Sequence, residues 1–141
     1  MTIKPNDFYN KLGEWCNNGI VSLFYDLTAY LMSSIKMENT DDVEYNFTGA
    51  DKSMYMIIIG KEDSVKIDIR PDGTPQGDAI VYVTYYIRCR NLESIYGDKR
   101  VAVCDAGQWR INSKGFNLEE YEGRKTLNHF EMVKEIMKSH K

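Results

Sequence analysis

A chain of 141 residues with 43% apolar and 28% charged side chains has the size and make-up of one globular domain, which argues against disorder. The net charge of −3 argues against a nucleic-acid binder, but it is unevenly spread: residues 1–63 carry five Lys/Arg against ten Asp/Glu, and residues 64–117 carry eight against six. No run approaches the roughly 18 apolar residues of a membrane helix, and the first ten residues lack a signal peptide's apolar segment, so the expected setting is cytoplasmic, away from membranes.

Pro5 and Asn6 read as a helix start, since Pro suits a first turn and Asn caps free N–H groups. Phe8, Leu12, Trp15 and Cys16 follow at helical spacing. Asn17, Asn18 and Gly19 interrupt them, and Ile20, Phe24, Leu27, Leu31 and Ile35 form a second apolar stripe. Two helices joined at Gly19 are predicted. After a turn at Asn39–Asp42, strands are predicted at Val43–Thr48, Ser53–Ile59, Ser64–Arg70 and Asp78–Arg90, with a loop from Pro71 to Gly77. A second loop spans Asn91–Asp98. Arg100–Cys104 and Gln108–Asn112 then flank Asp105-Ala106-Gly107, which reads as a hairpin turn because Gly tolerates positive φ. Leu118–Tyr121 is left open. Thr126 caps a predicted final helix that carries Leu127, Phe130, Val133, Ile136 and Met137 on one face.

The order of helices, an antiparallel run of about five to six strands and a last helix makes one α+β domain spanning the chain. Its clearest strand alternates Val81, Val83, Tyr85, Ile87 and Cys89 with Tyr82, Thr84, Tyr86, Arg88 and Arg90. Side chains alternate across a strand, so one face should meet a core and the other should present tyrosines and arginines to water.

The ending of the sheet, Gly107-Gln108-Trp109-Arg110-Ile111 after a long strand, resembles the closing strands of the NTF2-like superfamily, the cystatin-like cone. That resemblance implies a curved sheet packed by N-terminal helices around a pocket, and a terminal helix departs from the pattern. Pocket walls would come from Tyr85, Trp109, Met54 and Met56.

Tyr82, Tyr86, Arg88, Arg90 and Arg110 form the candidate interaction face, with the acidic residues Asp41, Asp42 and Glu44 as a second one. Tyr and Arg are enriched in protein interfaces, and they also stack bases and hold phosphates. No metal site, cofactor or catalytic set is expected. The two histidines have no motif around them, and the three cysteines lack the spacing of a zinc site or a disulfide framework. The resulting expectation is a small intracellular, non-enzymatic protein that binds another protein, of the kind bacteria and phages use as accessories or inhibitors. The same face would serve a homodimer. A cone-shaped small-molecule binder or small enzyme is the alternative, and a single-stranded nucleic-acid binder is the third reading.

Overall fold

The structure, a computed structural model, describes residues 3–37, 43–48, 53–87, 105–112 and 117–122. Helices α1 (Pro5–Trp15) and α2 (Asn18–Ser34) precede strands β1 (Val43–Thr48), β2 (Ser53–Ile59), β3 (Ser64–Pro71), β4 (Ala79–Ile87), β5 (Asp105–Asn112) and β6 (Asn117–Glu122). Each strand pairs antiparallel with the next, so the sheet runs in sequence order from β1 to β6. The chain is α+β, with its two helices on an antiparallel sheet. Among the described residues no helix is long and apolar enough to cross a membrane.

α1 begins at Pro5, whose fixed φ suits the first turn. Lys4 occupies the cap position without a side-chain hydrogen bond, so the capping role expected of Asn6 is not used. The helices break at Cys16 and Asn17 rather than at Gly19. Asn17 Oδ1 accepts the Ile20 N–H at 2.9 Å, which starts α2 one residue later and leaves Gly19 inside a first turn. The loop between β3 and β4 fastens this break. Asn17 Nδ2 donates to Gly77 O at 3.2 Å and to Asp78 Oδ1 at 3.1 Å, and the Gln76 N–H donates to Glu14 O at 3.1 Å. That loop folds on itself through Asp72, whose carboxylate accepts the Thr74 N–H at 2.8 Å.

One face of the sheet receives both helices. Phe8 and Leu12 of α1, with Ile20, Leu23, Phe24, Leu27 and Leu31 of α2, pack against Met54, Met56, Ile58, Val65, Ile67, Ile69, Val81, Val83 and Tyr85. All are at most 3% exposed, and burying each large apolar side chain stabilises the fold by roughly 1.5–3 kcal/mol. α2 ends where Lys36 adopts φ 55°, and Ile35 O there accepts the Lys61 N–H from the β2–β3 turn at 3.1 Å. Gly60 makes this approach feasible, since a Cβ on it would strike Ile35 O, Ile35 Cβ and Asp63 O.

Two sequence expectations are corrected at the far end of the sheet. Asp105-Ala106-Gly107 is strand, not hairpin turn: Ile87 pairs with Asp105 and Tyr85 with Gly107, which extends the β4–β5 ladder. The Gly-x-Trp-x-Ile strand does not close the sheet either, because Asn117–Glu122 pairs on its other edge. Arg100–Cys104, the ends of the long strand at Arg88–Arg90, and the final helix from Thr126 lie outside the described residues.

Candidate functional site

The face of the sheet away from the helices is ordered in rows that run across the strands. One row reads Asn46, Tyr55, Asp68, Tyr82, Arg110 and Glu119, each directly opposite the next. Tyr55 Oη accepts from Asn46 Nδ2 at 3.0 Å. The Lys66 Nζ lies 5.4 Å from the Tyr55 ring centre and 3.7 Å from Asp68 Oδ1, while the Arg70 guanidinium lies 5.4 Å from the Tyr82 ring centre. Both tyrosines are half-buried and each carries a cation at its ring, so the row presents flat aromatic surface with charge already in place. Partial burial, more than the carboxylates of Glu44 and Asp68, holds the Tyr55 phenol above its ordinary pKa. It stays a neutral donor and acceptor at physiological pH.

The neighbouring rows are different. Tyr86, expected to face water, is buried at 0% exposure, and so is Ile57, against which it packs with Tyr55 and Ile59. Thr84 and Ser64 on the same face are also buried. The physical reason lies in β2, where Ile57 and Ile59 point away from the helices while Met54, Met56 and Ile58 point toward them. A strand apolar on both faces is a strand buried on both faces. Tyr86 is therefore core at this end, not contact surface.

Of the residues expected to wall an apolar pocket, Tyr85, Met54 and Met56 are packed between the helices and the sheet, and Trp109 stands opposite Val83 on β5. A hollow of about 340 Å³ at the C-terminal end of α2 is lined by none of them, but by Ser34, Ile35, Lys36, Lys61, Glu62 and Asp63. The Tyr85 hydroxyl reaches its wall and donates to Asp63 Oδ2 at 2.9 Å. Burial first, then the Asp63 hydrogen bond and charge, push the Tyr85 phenol well up. The arrangement is a buried strut whose end is anchored at a polar rim.

Glu44 is half-buried beside Ile57. Arg110 stands opposite Tyr82 on β5. Asp41, Asp42, Arg88 and Arg90 lie outside the described residues. Sequence reasoning did not single out Tyr55 or the cation over each ring. Their signal is the register: Tyr55 and Tyr82 both flank Asp68, which only strand pairing reveals. It also missed an aromatic surface where α1 meets α2, with Tyr25 49% exposed and stacked on Tyr9 at 4.6 Å. Comparison of the chain with protein-family models, with curated proteins and with solved structures found no match.

Proposed function

We propose that this chain is a small non-enzymatic protein that binds another protein through the row centred on Tyr55, Asp68 and Tyr82, as an accessory or inhibitor does. One observation carries the reading: two half-buried tyrosines, one on each side of Asp68 in the same row, each with a cation 5.4 Å from its ring centre. Rigid aromatic groups beside arginine are what interface hot spots are made of, because they bring large contact area at low entropic cost. Asp68 between the tyrosines favours a protein over nucleic acid, since a carboxylate at the centre of the surface repels phosphate. From the sequence, Arg88, Arg90 and Arg110 extend the basic side of this surface, and Asp41 and Asp42 supply an acidic one. A terminal amphipathic helix over residues 126–137 completes the fold in this reading.

The test uses the full chain as bait in extract from its source cells. One protein should be retained at stoichiometric amounts, and Arg70→Ala with Tyr82→Ala should weaken its retention about tenfold or more while the fold persists. Retention of that protein unchanged by the double variant, or recovery of no partner, overturns the reading.

A further inference from the structure

The hollow at the C-terminal end of α2 shares no lining residue with the tyrosine row. It measures about 340 Å³, near the lower bound of the roughly 300–1,000 Å³ of small-molecule sites. Ser34, Ile35 and Lys36 come from the helix end, and Lys61, Glu62 and Asp63 from the turn between β2 and β3. The two segments are fastened together. The Lys61 N–H donates to Ile35 O at 3.1 Å, the Gly60 N–H donates to Asp63 O at 2.8 Å, and Gly60 leaves no room for a side chain. A frame held in this way loses little freedom when it takes a ligand.

The charges of the lining are mixed. Lys36, Lys61 and Glu62 are exposed at the rim, and Asp63 is half-buried. Tyr85, 2% exposed, fixes Asp63 from inside by donating to Oδ2 at 2.9 Å, and the Ser34 hydroxyl meets the same phenol. A carboxylate offers about four acceptor sites, so one bond from a phenol orients it without exhausting it. The end of α2 adds the negative pole of the helix dipole, and the last turn has no basic residue to offset it. The Asp63 end therefore favours an ammonium group, while the two lysines favour a carboxylate. Two cations against two anions leave the lining without net charge. That suits neither a phosphate nor a divalent metal ion, but it suits a small molecule with one charge of each sign.

We propose that this hollow binds a free α-amino acid, with its ammonium group on Asp63 and its carboxylate on Lys36 and Lys61. The site is independent of the partner surface. The test follows thermal unfolding of the full-length protein with each of the common L-α-amino acids in turn, at millimolar concentration. At least one should raise the midpoint, because a ligand that binds only the folded state stabilises it. The N-acetylated and the amidated forms of the same compound should each lose that shift, since each lacks one of the two charges. Asp63→Asn keeps an acceptor for the Tyr85 phenol and should weaken the affinity about tenfold or more. Lys36→Gln combined with Lys61→Gln should do the same, and both side chains are exposed, so the fold persists. No shift with any amino acid overturns the proposal, and so does a shift that survives in either blocked form. A shift undiminished in either variant breaks the assigned contact and overturns it as well. None of these outcomes bears on the partner surface, whose own test is retention of a protein.

Discussion

The two faces of this sheet are made by the same strands but divide their residues along different lines. On the inner face every row is apolar from β1 to β4, because α1 and α2 together span it. On the outer face the division runs between rows: Tyr86 and Ile57 are buried, while Tyr82 and Tyr55, four and two residues away along the same strands, are half-open and overlaid by cations. Identical residue types thus take opposite roles according to what lies above their row. A tyrosine in a strand is informative only once its cross-strand neighbours are known.

Substitution measures that contrast directly. Tyr86→Ala should destabilise the protein by about 3–5 kcal/mol, the same as Phe24→Ala in the inner core, since both remove a fully buried aromatic ring. Tyr82→Ala should cost no more than about 1 kcal/mol, and urea unfolding of the three variants gives the ranking. A Tyr86→Ala value as small as that of Tyr82→Ala erases the distinction between rows. Gly60→Ala should cost about 1–3 kcal/mol in the same assay, because the new methyl group must displace the backbone where α2 meets the β2–β3 turn. Asn17→Ala should cost about 1–2 kcal/mol through loss of the cap and of the contacts to Gly77 and Asp78.

A pH series sharpens the account of the inner side. Burial, and then the charge of Asp72, push the Cys16 thiol from 9.0 up to about 12, and burial likewise raises the phenols of Tyr9 and Tyr85. The folded state holds these protons more tightly than the unfolded state does. The stability they contribute is therefore complete below about pH 9 and is lost as pH rises toward 12. Unfolding midpoints followed by circular dichroism should hold steady up to that onset and fall beyond it. The smallest effect belongs to the outer row: Asp68→Asn removes the 3.7 Å contact with Lys66 and should change stability by less than about 1 kcal/mol.

Much of the inner architecture is legible in the residues, because burial on one side writes a period into the chain. The stripe from Ile20 to Ile35 and the alternation from Val81 to Tyr85 each point to the core they occupy. The outer face is less readable. Tyr82 and Tyr86 have the same phase on β4, and no local pattern separates them. Only the apolar run Met54–Ile59, too continuous for a half-wet strand, carries a trace of the second buried region. The position of the helix break is not legible locally, because Asn17 and Gly19 both interrupt periodicity and the deciding partners, Gly77 and Asp78, lie some sixty positions downstream. The row with Asp68 between two tyrosines depends on register, which no single strand encodes.

That clasp between Asn17 and the loop at Gln76–Asp78 has a consequence for biosynthesis. While the chain emerges from the ribosome, the amino-terminal third lacks the Gly77 and Asp78 groups that clasp its bend, so α1 and α2 meet through contacts such as Tyr9 on Tyr25 without the hydrogen bonds that fasten the break between them. Their final orientation must wait until the segment around Gly77 has been made. The start of this protein therefore takes its finished form only after its middle exists.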